Sequence, residues 1–543
     1  MKKIIFFVAI GLLTLGSISA QSLSSKIDAL MLEKFPPNKP GATILVAKQG
    51  KTIYRNAFGM ANLELQVPMK PENVFELGSI TKQFTSVSIL MLMEQGKLSL
   101  NDKLSKFIEN YPKGNEITVH QLLNHTSGIR SYTNMESFRS KARTDLEPME
   151  LINVFKDEPM DFEPGSRYEY NNSAYIILGY IIEKLSGMSY EDYIEKNIFQ
   201  KIGMTNSYYG SKEQMIPNRA SGYQPNETGY NNAEYLSMTL PYAGGSLMST
   251  VDDMLKWEQA IHHNTFISKS STKLAFTNTT TNDGSPIYYG YGFSIDEING
   301  TPSIEHGGGI FGYATYGVYV PSEDLYAIVL TNSNGNSPTD ITVEIAALAL
   351  GKPFPKKAAT HVSEKEMKKW VGTYEFEDGA VRFVTFSDGT LYSQREGSEN
   401  LKLYAVSANE YYFEDSFTNY AFEIKNGKPV ANFRARIRKS TGVKSDRKPP
   451  AAKESISLDA SVIKDYEGTF ELQPGFDIVI SAKENQLFAQ ATGQPEFEIF
   501  GESEDKFFLK VVTADIVFNR DEKGNIKSLT LNQGGQQMEG KKK

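Results

Sequence analysis

The chain changes texture at one Lys/Pro-rich stretch, GKPFPKKAATHVSEKE (residues 351–366), and that change dictates its architecture. Before it, helical and strand periodicities are mixed. After it, short alternating strands and Gly or Asn turns dominate. A chain of 543 residues also exceeds what one hydrophobic core organises. The two textures predict an α+β domain over residues 21–352, followed by all-β modules. WVGTYEF (370–376) parallels YEGTFEL (466–472), with a second linker-like run, KSDRKPPAAKES, between them. The parallel predicts two β modules, 367–445 and 457–543, each a barrel or curled sheet, with linkers at 353–366 and 446–456, the alternative being a single split β domain. Tyr411-Tyr412 and Phe507-Phe508 in these modules fit either ligand platforms or strand core.

The first 20 residues, MKKIIFFVAIGLLTLGSISA, combine two lysines, an apolar run from Ile4 to Leu15 and small residues. This is the pattern of a secretory signal peptide. Cleavage after Ser19 satisfies the small-x-small rule through Ser17, whereas cleavage after Ala20 leaves Ile18 at the usually small position. The run is short for a membrane span. The expected location is therefore periplasmic or secreted, with no stable span after cleavage. The absence of cysteine excludes thiol catalysis, disulfides and lipid attachment at an N-terminal cysteine. An exported chain without disulfides must rest on large apolar cores. A net charge of −8 offers no basic face for nucleic acid.

Within residues 21–352, ATILVAKQGKTIYRNAFG reads as a hairpin turning at Gln49-Gly50. Residues 79–95 carry a helical apolar pattern stopped by Gly96. SAYIILGYIIEKLSG is apolar nearly all round and predicts a buried helix. ATYGVYVPSEDLYAIVLTNSN reads as two strands about a Pro-Ser-Glu-Asp turn. Strands at both ends with helices between predict one antiparallel sheet.

FELGSITKQFTS places Ser79 and Lys82 at i and i+3 where a helix begins, so their side chains share a face. Free N–H groups and the positive end of the helix dipole there favour a serine nucleophile and a developing oxyanion. A lysine one turn away can take the serine proton once desolvated. Ser-x-x-Lys also occurs at Ser270, Ser445, Ser461 and Ser503, and alone it equally fits a capping serine followed by a solvated lysine.

Four further stretches single out Ser79: EPGSRYEYNNSAYIILG with Tyr170-Asn171-Asn172, SIEHGGGIFGY with His306-Gly307-Gly308, ITVHQLLNHTSGI, and YAGGSLMSTVDDMLKW. Together, in this order, they resemble the serine β-lactamase and penicillin-binding-protein-like superfamily, in its class C β-lactamase, D,D-peptidase and esterase branch. The likeness spans roughly residues 25–350. It implies an antiparallel sheet with flanking helices and a helical subdomain, and an exported serine hydrolase acting on ester or amide substrates, D-amino-acid peptides or β-lactam-like compounds included. By this resemblance Ser79 is the acylated nucleophile and Lys82 its proton partner. Tyr170, made more acidic by Lys82, shuttles protons. Asn172 binds the substrate carbonyl and Lys82, and the N–H groups of Ser79 and Gly309 form the oxyanion hole. His306, Gly308 and Gly309 contact substrate. His306 stands where β-lactamases proper carry lysine, which favours ester or D-amino-acid peptide substrates over efficient β-lactam hydrolysis. His125 is expected to organise a loop, and Tyr242 with Gly244-Gly245 to shape the cleft.

The competing reading is a non-catalytic protein of the same fold that binds penicillin or peptidoglycan peptide. Gly-x-Ser-x-Gly, His-Glu-x-x-His and a phosphate-binding glycine loop are all missing from the sequence. No cofactor or metal is implied. The expected partner is a small-molecule or peptide substrate, cell-wall derived among the candidates, and the sequence leaves oligomeric state open.

Overall fold

The computed structural model describes residues 22–543 except 136, 212, 227, 336, 355–359, 399, 415–416, 449–454, 457–459, 474–475, 484–485, 493–495, 510–513 and 534–535. The expected signal peptide lies outside the described residues, as do the middles of both expected linkers.

Strands β1 (Ala42–Lys48) and β2 (Lys51–Phe58) form the expected hairpin, with Gln49 and Gly50 both left-handed as a two-residue turn requires. β3 (Ser294–Ile298), β4 (Thr301–Ile310), β5 (Tyr313–Val320) and β6 (Leu325–Thr331) complete a wholly antiparallel sheet in the order β3-β4-β5-β6-β1-β2. The chain's two ends of this domain thus meet at the sheet centre. β6 is buried along its whole length because both faces are covered. Helices α1 (Leu23–Lys34), α2 (Thr81–Glu94), α3 (Asn172–Ser186), α4 (Val251–His262) and α5 (Thr339–Ala349) provide the cover. Ile27, Met31, Val343 and Ile345 pack with Ile44, Val46 and Val329 on one face. Leu45, Ile328 and Leu330 point into a larger core shared with α2, α3 and α4.

α2 starts two residues later than its apolar pattern suggests, since Gly78–Ile80 form a 3-10 turn leading into it. Every residue from Thr81 to Leu92 is buried, polar ones included. Such a helix is held by tertiary contacts rather than by propensity. Phe84 stacks on Trp257 of α4 with ring centroids 3.8 Å apart and meets Phe199 edge-on.

Beyond residue 352, Val362 is buried and Glu364–Lys368 is helical. The last residues of the expected 353–366 linker therefore pack with the first β module. That module is a nine-stranded antiparallel meander whose first strand, β7 (Gly372–Phe376), pairs with its last, β9 (Arg438–Ser445), beside β8 (Lys428–Ala435). The second module is a closed eight-stranded barrel from β10 (Gly468–Gln473) to β11 (Gln536–Lys542). The parallel heptads are a shared device. A Cβ on Gly372 would overlap the Lys444 side chain of the closing strand, and one on Gly468 would overlap Lys542 in the same way. Tyr411, Phe507 and Phe508 are buried strand core. Among the described residues no helix is long and apolar enough to cross a membrane.

Phe84→Ala removes one ring from the α2–α4 stack and is expected to cost about 3–5 kcal/mol of unfolding free energy, read as a lower denaturant midpoint. A loss below about 1 kcal/mol would mean that this stack does not hold α2.

Candidate active site

The turn carrying Ser79 is clamped from two sides. Leu77 N–H donates to the Leu247 carbonyl (2.8 Å), and Thr315 Oγ1 of β5 donates to the Leu77 carbonyl (2.8 Å). One residue into α2, Thr81 Oγ1 accepts from Leu247 N–H at 3.1 Å. Gly78 takes φ 55°, and a Cβ there would lie 2.9 Å from Gly309 N. Only glycine lets the serine turn and β4 approach main chain to main chain. Gly308 is constrained likewise, because a Cβ would overlap the Leu77 carbonyl oxygen.

Lys82 is wholly buried, with its Nζ 3.0 Å from Ser79 Oγ, 2.9 Å from Asn172 Oδ1 and 2.8 Å from the Gly244 carbonyl. All three partners are neutral. Burial pushes the amine down to about 7. The constellation suits both of its states. An ammonium donates to all three oxygens, whereas a neutral amine donates to Asn172 and Gly244 and accepts the Ser79 hydroxyl proton.

Asn172 is the first residue of α3, and its Nδ2 donates to Thr133 Oγ1 at 3.0 Å. Asn171 caps that helix by accepting from Ala174 N–H. His125, in its left-handed backbone position, accepts from Asn171 N–H at Nδ1 (3.1 Å). His125 is therefore a loop organiser that fixes the approach to Asn172. Burial holds it neutral, with its titration far below the usual range.

Tyr170 enters the same cavity with its ring below Lys82 Nζ, 4.9 Å from the centroid. Its hydroxyl is buried without hydrogen-bond geometry to any described side chain, although Ser79 is near enough to offset part of the burial effect. Burial dominates and raises the phenol well above its ordinary value. The expectation that Lys82 would make Tyr170 more acidic is therefore corrected. Burial outweighs the neighbouring amine, and at neutral pH the phenol keeps its proton.

His306 lies inside β4 and not at a strand end. Its Nδ1 donates to the Gly307 carbonyl (2.6 Å), which leaves Nε2 to accept from Tyr289 Oη at 2.8 Å. Burial, reinforced by Lys82, pushes the imidazole down to about 3. It presents neither a charge nor a free ring nitrogen to the cleft. Glu305 points to the other face, as strand alternation demands, and binds elsewhere. β3 pairs with β4 only as far as Glu305. From His306 to Ile310 the outer side of β4 has no strand partner among the described residues.

The cleft at Ser79 encloses about 350 Å³, lined by Ser79, Asn172, Gly244, Gly245 and Gly309 with Tyr132, Phe138, Leu236, Ile310 and Phe311. Among the described residues no charged side chain lines it. Lys82, Tyr170, His306 and Gly308 stand behind this lining. Tyr242 is buried, its ring against Gly179 of α3. No cluster among the described residues could hold a metal ion.

Residues 32–352 match the Beta-lactamase family. The chain belongs to that family. Residues 452–542, which include the second barrel, match a domain of unknown function, DUF3471. Penicillin-binding protein 4* of Bacillus subtilis (strain 168) is 29% identical over 402 residues, 68% of this chain and 87% of that protein. A D-aminopeptidase of Gluconobacter oxydans (strain 621H) is 26% identical over 63% of this chain and 65% of its own length. Among solved structures, the octameric penicillin-binding protein homologue from Pyrococcus abyssi is 30% identical with a TM-score of 0.55, covering 77% of this chain and 99% of that one. The D-amino acid amidase from Ochrobactrum anthropi SV3, at 20% identity and a TM-score of 0.54 over 61% of this chain and 99% of that one, shares the fold. The chain is thus a serine β-lactamase-family hydrolase related to penicillin-binding proteins and D-aminopeptidases.

Sequence reasoning missed Tyr289 and the apolar wall of this β-lactamase-family cleft. Tyr289 stands in IYYGYGF, where nothing local marks which of three tyrosines meets His306. Tyr289→Phe leaves the buried Nε2 of His306 without a donor and is expected to cost about 1–3 kcal/mol of stability in denaturant unfolding. Unchanged stability would mean that this bond does not hold His306.

Proposed function

We propose that this chain is an exported serine hydrolase that forms an acyl-enzyme on Ser79, using esters and amides that are uncharged beside the scissile bond. The observation that carries the reading is a wholly buried Lys82, poised near neutrality, 3.0 Å from Ser79 Oγ. Neutral Lys82 takes the hydroxyl proton as Ser79 Oγ bonds to the substrate carbonyl carbon. The oxyanion is held by the N–H groups of Ser79 and Gly309, whose main chains the Gly78–Gly309 contact brings together. Tyr170, a protonated phenol, gives its proton to the leaving group and regains one from the Lys82 ammonium. Water then attacks the acyl-enzyme by the reverse relay, and Ser79 recovers its proton. Asn172 orients both Lys82 and the substrate carbonyl.

The cleft's chemistry narrows the substrate. With no cation lining it among the described residues and His306 neutral, none of those residues pairs with the carboxylate of a D-Ala-D-Ala terminus or a β-lactam. Among the described residues no carboxylate lines it either, so none of them matches a free substrate ammonium. The apolar wall suits an acyl or aromatic group, and the unpaired outer side of β4 suits an extended amide chain. The N-terminal signal pattern supports export. The D-aminopeptidase relative supports including amide bonds among the substrates.

A panel of p-nitrophenyl butyrate, N-acetyl-D-phenylalanine amide, a D-Ala-D-Ala peptide and nitrocefin tests this. Turnover is expected for the first two, and only slow cleavage for the others. Nitrocefin rates matching the ester would overturn the neutral-cleft argument. Ser79→Ala should abolish both turnover and fluorophosphonate labelling, while a wild-type protein that is never labelled would favour the binding-protein reading.

Because Lys82 must be neutral to accept the proton, kcat/KM should rise with pH through about 7 and fall below it. Neither His306, down at about 3, nor the raised phenol of Tyr170 titrates in that window. A profile flat from pH 5 to 9, roughly the range over which such a base must titrate, would exclude Lys82 as the base.

A further inference from the structure

The first β module reaches into the hydrolase domain beside His306. The tip of its β8–β9 hairpin carries Arg434, Arg436 and Arg438. Arg436 turns in with φ 57°, and its guanidinium grips the fully buried Glu305 with both Nη atoms, Nη1 to Oε2 at 2.8 Å and Nη2 to Oε1. Its Nε donates to the Glu297 carbonyl (2.8 Å), and Nη2 also donates to Ser303 Oγ (3.3 Å). Ile437 N–H donates to Asp296 Oδ1 at 3.1 Å, and Arg434 pairs with Glu297. Arg438 lies 5.2 Å above the ring of Tyr288, neighbour of the Tyr289 that holds His306.

Glu305 is also the last β4 residue with a partner on β3, so the grip falls where the outer side of β4 becomes free. The same carboxylate accepts from Tyr316 Oη of β5 at 2.7 Å. The Tyr316 ring lies against Gly307, where a Cβ would come within 2.7 Å of it. Burial alone would raise the Glu305 carboxyl, but Arg436, Ser303 and Tyr316 together hold it below the ordinary value, so it stays ionised. The pair is two-pronged and dry, the geometry in which arginine fixes direction as well as charge.

We propose that Arg436 is a positioning residue of the hydrolytic site. Through Glu305 and Tyr316 it sets the course of residues 306–309 and hence the aim of the Gly309 N–H. The first β module is then part of the catalytic unit, not a tethered accessory. The proposal rests on the reading of Gly309 as an oxyanion donor.

The test is kcat and KM for p-nitrophenyl butyrate in the full chain, with active sites counted by fluorophosphonate titration. Arg436→Ala is expected to lower kcat per titrated site about tenfold to a hundredfold with KM little changed, since small misplacements of an oxyanion donor act on the transition state. Arg436→Lys should recover part of the loss, as it keeps the charge without the two-pronged grip. Arg447→Ala, which breaks an exposed pair with Glu396 in the same module, should leave kcat unchanged. If Arg436→Ala only lowers thermal stability, with kcat per site within about twofold of wild type, the residue is structural and the proposal falls. If that variant gives no titratable sites, Arg436→Lys decides: an unchanged kcat per site overturns the proposal, and a several-fold drop supports it. A wild-type chain that is neither labelled nor active overturns the hydrolase reading itself, and the proposal with it.

Discussion

One interaction organises the site: a lysine amine buried among three neutral oxygens with no carboxylate among the described residues to balance it. Removing an amine from water is costly, and a nearby acid would repay that cost while fixing the proton in place. Without an acid the amine surrenders its charge near neutrality. The surrounding architecture is what such an arrangement demands. α2 is enclosed on all sides so that water cannot resolvate Lys82, and α3 is capped at Asn171 so that Asn172 points a carbonyl oxygen at it. The Gly244 carbonyl closes the third direction. The stability given up here is supplied by the aromatic stacking behind α2 and by the sheet.

The opposite wall works by backbone rather than by charge. Both ring nitrogens of His306 are spent internally. Its charge is suppressed partly by Lys82 itself, so the two sites are electrostatically linked. A protonated imidazole would raise the cost of an ammonium at Lys82, and the reverse holds equally. The glycines that follow bring β4 onto the serine turn, and beyond Glu305 its outer side has no strand partner among the described residues.

How much of this was legible in the sequence follows from distance along the chain. The β1–β2 turn, the buried α3 and the i, i+3 pair at residues 79 and 82 are local and follow from periodicity and turn chemistry. The single antiparallel sheet was readable because strands flank the helices, while its order, with β6 beside β1, joins residues 277 to 289 positions apart that no local pattern pairs. Tyr170 and Asn172 were marked by motif, but the phenol's proton affinity depends on burial, which a motif does not carry. Tyr289 and Arg436 escaped notice for the same reason. Each acts through one long-range contact, and its neighbours in sequence look like any aromatic run or any basic hairpin.

The two β modules show why composition alone hid the docking. Both use a closing strand whose lysine lies over a leading glycine, so their frameworks are alike. They differ in the last hairpin. Between its last two strands the first module reads Arg-Ile and is flanked by arginines, whereas the second reads Gly-Gly between glutamines. An arginine tip finds a match only because β3 and β4 present Asp296, Glu297 and Glu305 together, and a carboxylate as buried as Glu305 could not stay ionised without it. The hydrolase domain thus carries acids that are a liability alone, and one copy of a repeated scaffold carries the cations that neutralise them. Loss of the arginine would leave a buried, uncompensated charge within one residue of His306, so the module and the site are bound to change together.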